Sequence, residues 1–236
     1  MESESIEAHR VTATAQPCAA CGALSSGRYC AACGQRVLTG RPTLRRLLLD
    51  SFGRVANIEE GLSYTVLGLT VRPGIVVRDY LAGRTIPYTH PVGYFFVAVG
   101  IFALVSRLVS GPTGAAESDR IFAILVVPIV AATSRALLWR AGFNYAEHLI
   151  AVLYLSGHML VLFAILYVGI ALVDPAYLGG YASVSVLLAL GYFVWAYSRT
   201  FFKRPLVGAL AGLLSLVIGS ASWLIAMALL VNAFRR

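Results

Sequence analysis

Residues 144–174 read NYAEHLIAVLYLSGHMLVLFAILYVGIALVD, and the nature of this stretch decides the fold. From Leu149 to Val173 it carries no formal charge apart from any on His158. A run of ~20 apolar residues is enough to cross a bilayer as a helix. Its start holds an unusual polar group, Asn144, Tyr145, Glu147 and His148, and His158 lies within it. The stretch reads as the third and middle helix of five.

Composition extends this reading to the rest of the chain. Hydrophobic residues make up 58% and charged residues 13% of 236, with a mean hydropathy of +0.77. Soluble domains carry about a quarter charged residues, so the chain departs in the membrane direction. Of the 19 Lys and Arg, ten fall between Arg10 and Arg84, ahead of all the long apolar runs. A polar head of roughly ninety residues followed by a membrane domain accounts for that split. The net charge of +8 fits basic flanks of membrane helices better than nucleic acid, because no Lys/Arg run is dense. The start, MESESIEAHR, has no apolar core and reads as no signal peptide. The N-terminus is therefore expected in the cytoplasm.

Residues 1–16 read as a disordered tail, and its His9 as solvated. Residues 17–37 contain CAACGALSSGRYCAACGQR, in which Cys18/Cys21 and Cys30/Cys33 form two Cys-x-x-Cys-Gly knuckles eight residues apart. Each puts two thiolates on one tight turn, with Gly22 and Gly34 free to take φ > 0. Together they predict a closed four-sulfur site of structural type, a zinc ribbon. Iron bound as in rubredoxin and a redox pair are the competing readings. A cytoplasmic compartment argues for metal over disulfides. Because the ribbon is too small for a core, metal binding would supply its folding energy.

Residues 41–90 are expected to join head to membrane. RPTLRRLLLDSFGRV predicts an interfacial helix with Leu44, Leu47, Leu48 and Val55 on one side and Arg45, Arg46 and Arg54 facing headgroups. The following segment predicts two short helices broken at Arg72-Pro73-Gly74 and ended at Gly83. Residues 91–236 divide into five expected spans, near 92–109, 120–139, 146–173, 181–197 and 205–234, with Pro128 kinking the second. Arg135, Arg140, Arg199, Lys203 and Arg204 then fall inside, as the positive-inside rule requires. Arg107 and the terminal Arg235–Arg236 are exceptions, the latter leaving the side of the C-terminus open.

The double knuckle, the Arg-Pro-Gly break and a Gly-x-Arg-x-x-x-Tyr-like element before proline, here Gly83-Arg84-x-x-x-Tyr88, resemble the bacterial family called domain of unknown function 3667. The residues carrying the resemblance are Cys18, Cys21, Cys30, Cys33, Gly34, Gln35, Arg72, Pro73, Gly74, Tyr80, Gly83, Arg84, Tyr88 and Pro91, with Tyr145, Glu147, His148 and Leu149 as a further element. Where the family carries more polar residues after the Glu-His pair, this chain has Tyr154 and Ser156, and His158 lies beyond them. The resemblance implies an all-α integral membrane protein with an N-terminal zinc ribbon, in the bacterial inner membrane. It implies no activity.

Chemistry has few places to live. Glu147 and His148 stand at the mouth of the third span, as a proton relay, a polar-substrate site, or an ion pair pinning helix ends. The partners expected for Glu147 are Arg135, Arg140, Arg78 or Arg84. His158 lies ten residues past His148, ~15 Å along a helix, so the two cannot share a metal. It is expected to bond to Ser156 or a neighbouring helix. No His-Glu-x-x-His string is present. Gly208, Ala211, Gly212, Ser215 and Gly219 form a small-residue ridge for close helix packing, within the chain or in a homo-oligomer. The function expected is a non-enzymatic scaffold, regulator or transport-linked factor whose ribbon recruits a cytoplasmic partner. The alternative is a transporter or lipid-acting enzyme using Glu147, His148 and His158. Nucleic-acid binding by the ribbon is weakest, because only Tyr29 lies between the knuckles.

Overall fold

The computed structural model of the protein describes residues 15–37, 40–54, 59–110, 117–174, 180–202 and 205–234. The tail through residue 14, Val55, Lys203, Arg204 and Arg235–Arg236 lie outside the described residues. The fold is mostly helical. Two short antiparallel strands, β1 (Gln16–Pro17) and β2 (Leu24–Ser25), frame the first cysteine knuckle. Among the described residues eight α-helices follow: α1 (Leu44–Arg54), α2 (Glu59–Val71), α3 (Pro73–Leu81), α4 (Pro91–Ser110), α5 (Glu117–Leu137), α6 (Tyr145–Val173), α7 (Tyr181–Thr200) and α8 (Pro205–Phe234).

Among the described residues, two helices are long and apolar enough to cross a membrane: Pro91–Val109, at mean hydropathy 2.1, and Tyr145–Val173, at 2.4. They differ in surroundings. Only 22% of the α4 window is buried in the protein, against 61% for α6. A helix that is apolar all round must be enclosed by protein or lipid, and α6 is the one enclosed by protein. Every residue from Ala146 to Leu155 is buried.

Side-chain pairs fix how the helices run. Gly157 of α6 faces Tyr94 and Phe95 of α4, and Phe163 faces Phe102, so α4 and α6 are parallel. His158 meets Tyr192, and His148 meets Phe201, so α7 runs back along α6. Gly208 and Gly212 of α8 abut Ser198 and Tyr197 of α7, and Gly219 abuts Val130 of α5. The small-residue ridge of α8 is thus occupied by helices of its own chain. Four residues before the facing pair Phe95–Gly157, Pro91 is level with Leu153. The first eight residues of α6, ~12 Å of helix, therefore project past the start of α4. The helices α1, α3, α5 and α7 pack around α6, and Leu47 and Tyr80 join Ile150 in the core beside this projecting end.

The α2–α3 break falls at Arg72, with Pro73 in the first turn of α3. Pro fits there because that turn needs no backbone donor. Gly83, at φ 91°, makes the left-handed turn after α3. In α1, Leu47 is buried with Ser51, whereas Leu44, Leu48 and Leu49 are exposed. The helix turns one narrow edge to the body, and Arg46 joins that edge by approaching Asp50 at 3.8 Å.

A Cβ on Gly74 would lie 2.3 Å from the Arg199 carbonyl oxygen, whereas one on Gly100 would meet nothing within 4 Å. Backbone cannot yield as a side-chain tip can. Gly74→Ala should therefore destabilise the fold by about 1–3 kcal/mol, read as a lower midpoint of thermal unfolding. Gly100→Ala should leave it unchanged or raise it.

Candidate metal centre and the polar seam behind it

The two knuckles are built alike. Gly22 N–H donates to the Cys18 carbonyl and Gly34 N–H to that of Cys30, each at 2.8 Å. Both glycines have φ above 70°, so a left-handed residue closes each turn and brings its two sulfurs together. The four Sγ atoms lie within 4.8 Å of one another. Cys18–Cys33 and Cys21–Cys30 are each 3.6 Å apart. That is far beyond a disulfide, ~2.05 Å. It is close to the ~3.8 Å edge of a tetrahedron whose arms are the ~2.3 Å of a zinc–thiolate bond.

The local field favours thiolates. Backbone N–H groups of Cys21 and Ala20 lower the Cys18 thiol to about 7, and those of Cys33 and Ala32 lower Cys30. Cys33 receives an N–H from Gln35, yet burial and the other three sulfurs push it up to about 12. Four sulfurs this close resist joint ionisation, and a divalent cation among them removes the conflict. The donor set fits a metal ion, and four protein ligands leave no open position for catalysis.

Behind this centre the ribbon is latched to the helical body. Gln35, 1% exposed, donates to the Gly83 carbonyl at 2.9 Å. Its Oε1 accepts from Thr85 N–H at 3.1 Å and Ile86 N–H at 3.3 Å. Arg36 pairs with Asp50 of α1 at 2.5 Å. Residues 79–91 form the receiving surface. Tyr80 packs against Tyr154 and His90, with ring centroids 5.5 and 6.2 Å away. Asp79 accepts from the Tyr88 hydroxyl at 2.9 Å and draws Arg84 to 3.6 Å. Pro91 opens α4.

The polar residues of α6 do not form one site but three. Asn144 and Glu147 form a capping box: Glu147 N–H donates to Asn144 Oδ1 at 3.0 Å, and Asn144 N–H to Glu147 Oε2 at 2.7 Å. The partner of Glu147 is Arg41, and not Arg135, Arg140, Arg78 or Arg84. Arg41 Nε donates to Oε1 at 2.9 Å, and a terminal nitrogen donates to Oε2 and to the Gly142 carbonyl. Asn144 also donates to the Pro42 carbonyl at 2.9 Å. The turn at residues 40–43 folds back onto the end of α6, which places Arg41 nearer than any arginine on the helices. Tyr145 donates to the Pro128 carbonyl at 3.2 Å.

One turn on, His148 Nδ1 lies 2.6 Å from Ser134 of α5, which also bonds to the Tyr197 hydroxyl of α7. The ring stacks on Phe201, with centroids 4.8 Å apart. Its Nε2 is buried and has no hydrogen-bond partner among the described residues.

His158 joins further helices, and Ser156 is not its partner. Thr70 Oγ1 donates to the Val66 carbonyl at 2.8 Å, which commits its one proton. The 3.1 Å contact to His158 Nε2 is therefore imidazole N–H donating to Thr70. Nδ1 then accepts from the Tyr94 hydroxyl at 2.8 Å. Both ring nitrogens of the neutral imidazole are satisfied, and no lone pair is left for a metal.

The family model described as protein of unknown function DUF3667 matches residues 59–103. These residues are α2, α3, the loop that receives Gln35, and the first part of α4; the ribbon and α6 lie outside the match. No curated protein and no solved structure matches the chain.

Two outcomes follow. The purified protein should carry one metal ion per chain by elemental analysis, and Cys30→Ser should abolish it. Glu147 has a side chain 5% exposed, against 57% for Arg41. Removing Arg41 alone leaves a buried carboxylate with less compensation. Arg41→Met should then be less stable than Arg41→Met/Glu147→Gln by about 1 kcal/mol or more in thermal or denaturant unfolding.

Proposed function

We propose that the protein is a non-enzymatic, multi-pass protein of the bacterial inner membrane, whose zinc ribbon is a docking platform for a cytoplasmic partner. The spans are α4 to α8. Large apolar side chains stand exposed along them, among them Phe96, Leu104 and Leu108 of α4, Ile165 and Leu172 of α6, Leu187 of α7, and Leu210 and Val217 of α8. Soluble monomers seldom expose contiguous apolar patches beyond a few hundred Å². Taken with the two long apolar helices, this supports lipid as their solvent. The alternating directions place the starts of α4, α6 and α8 at one end, with Arg135, Arg140 and Arg199. That end is the cytoplasmic one by the positive-inside rule.

The twenty residues of α4 span ~30 Å, the thickness of the hydrocarbon core. With Pro91 at the inner edge, Glu147 and His148 lie on the cytoplasmic side of the lipid. His158 lies inside it by about 8 Å, five residues beyond Leu153. Zinc is the ion favoured for the four thiolates, because they make a closed structural set.

The observation that carries the recruitment reading is the two-sidedness of the ribbon. Gln35 and Arg36 hold one side to the body, while Leu24 and Tyr29 stand 75% and 63% exposed. Affinity capture from solubilised membranes should recover a protein with the wild type and lose it with Leu24→Ala/Tyr29→Ala, at unchanged metal content. Identical partner sets would contradict recruitment.

A second reading keeps the buried Nε2 of His148 as a proton- or solute-handling group. It requires His148→Ala to abolish a cellular phenotype of the gene that Leu24→Ala/Tyr29→Ala leaves intact.

A further inference from the structure

A cleft of about 300 Å³ lies between the ribbon and the loop that leads into α4. Tyr29 and Arg36 form its ribbon wall, and Thr85, Pro87, Tyr88 and Thr89 its loop wall. Small-ligand sites run from ~300 to 1,000 Å³, so this one has room for a single sugar-sized ring.

The backbone donors of the loop wall are already committed. Thr85 and Ile86 N–H groups donate to Gln35 Oε1. Tyr88 N–H donates to the Thr85 carbonyl at 3.0 Å, and Thr89 N–H to Thr65 Oγ1 at 2.9 Å. Pro87 has no N–H to place. Gly61 of α2 backs the loop so closely that a Cβ there would lie 2.6 Å from the Pro87 carbonyl oxygen. The loop is thus held from the ribbon side and from the α2 side. Two side-chain hydroxyls are left over. Thr85 and Thr89 are 3% and 5% exposed, and both line the cleft. Neither Oγ1 has a hydrogen-bond partner among the described residues. A buried hydroxyl without a partner costs stability, and two on one cleft call for a ligand that bonds both.

The walls narrow the chemistry of that ligand. No carboxylate lines the cleft, so nothing there draws a cation. Arg36 is held by Asp50 at 2.5 Å, so the cleft is not built around an anion. A hydroxyl both donates and accepts, and another hydroxyl matches it in both roles. The rings of Tyr29, Pro87 and Tyr88 supply apolar faces. A sugar ring carries hydroxyls around its edge and C–H groups on its faces, and so meets both kinds of wall.

We propose that this cleft binds one uncharged hexose, with the Thr85 and Thr89 hydroxyls bonded to its hydroxyls and the Tyr29 ring against its C–H face. Two sources share this chemistry, a free sugar and the headgroup of an uncharged glycolipid. The glycolipid source rests on the membrane reading above, in which the loop before Pro91 lies at the cytoplasmic edge of the lipid. The hexose site itself depends neither on that reading nor on recruitment.

The test uses full-length, metal-loaded protein in deuterated dodecylphosphocholine, a detergent without a sugar headgroup. Ligand-detected NMR titrations compare glucose, galactose and mannose, their octyl glycosides, and octylphosphocholine. Saturable binding of at least one hexose or its octyl glycoside, and none of octylphosphocholine, is expected. Equal affinity for the two forms assigns a free sugar, and tighter binding of the octyl glycoside assigns a glycolipid headgroup. Thr85→Val and Thr89→Val should each weaken that binding about tenfold, the loss of one hydrogen bond. Retained metal serves as the folding control. Without ligand, each variant should be as stable as the wild type or more so, because it removes an unpaired buried hydroxyl. No saturable binding of any hexose form, equal binding of octylphosphocholine, binding that both variants leave unaltered, or variants that are less stable without ligand would overturn the proposal.

Discussion

A buried carboxylate at the start of a helix has to be answered, and here Arg41 answers Glu147 across 106 positions of sequence. Without that pair, the projecting end of α6 would present a charge and a row of unsatisfied N–H groups to an apolar surround. With it, and with the Asn144 box, both carboxylate oxygens of Glu147 and its own N–H are bonded. The turn that carries Arg41 also carries the Pro42 carbonyl to Asn144. The head and the bundle are therefore one structure, and the ribbon sits where it does because the chain between them is pinned at this end of α6.

The metal centre acts on the same arrangement from the other side. The residue after the second knuckle, Gln35, fills three backbone hydrogen bonds of the loop leading into α4. A knuckle without its ion has little else to hold its shape. An ion held by the four cysteines would therefore set the position of Gln35; Gln35 bonds the loop, and the loop, through the Thr89 carbonyl, holds the Tyr154 hydroxyl. The polar groups within the helices play a similar part. Ser134, His148 and Tyr197 join three helices at one level, and Thr70, His158 and Tyr94 join three at another. Such buried networks fix register, since each member has only one set of partners within reach.

What could be read in the sequence was local. Cysteines spaced by two, a proline after an arginine and a glycine past a helix end are short-range signals, and the knuckles, the break at Arg72 and the turn at Gly83 answer to them. The two long apolar helices α4 and α6 were legible from their runs of apolar residues. The partner of Glu147 was not, because nothing near Arg41 marks it as facing a helix a hundred residues on. Ser134, Tyr197, Thr70 and Tyr94 were visible as polar interruptions of apolar runs. Which of them meet depends on helix register, which period alone does not fix. Which leucine of α1 turns to the body was not legible either: Leu47 does, while Leu44, Leu48 and Leu49 face away from it, a choice set by what packs against the helix. Asp79, which gathers Tyr88 and Arg84, carried no signal beyond its charge.

The central claim is that a metal ion in the ribbon would hold the Gly83–Ile86 loop and the 40–43 turn against the projecting end of α6. Backbone amide exchange of the full chain, compared with the ion bound and after chelation, tests it most directly. Faster exchange after chelation in Gly83–Ile86 and in the first three turns of α6, with the Phe102–Phe163 level of α4 and α6 unchanged, is the result the account predicts. Exchange that rises in the ribbon alone, with the start of α6 as protected as before, would contradict it.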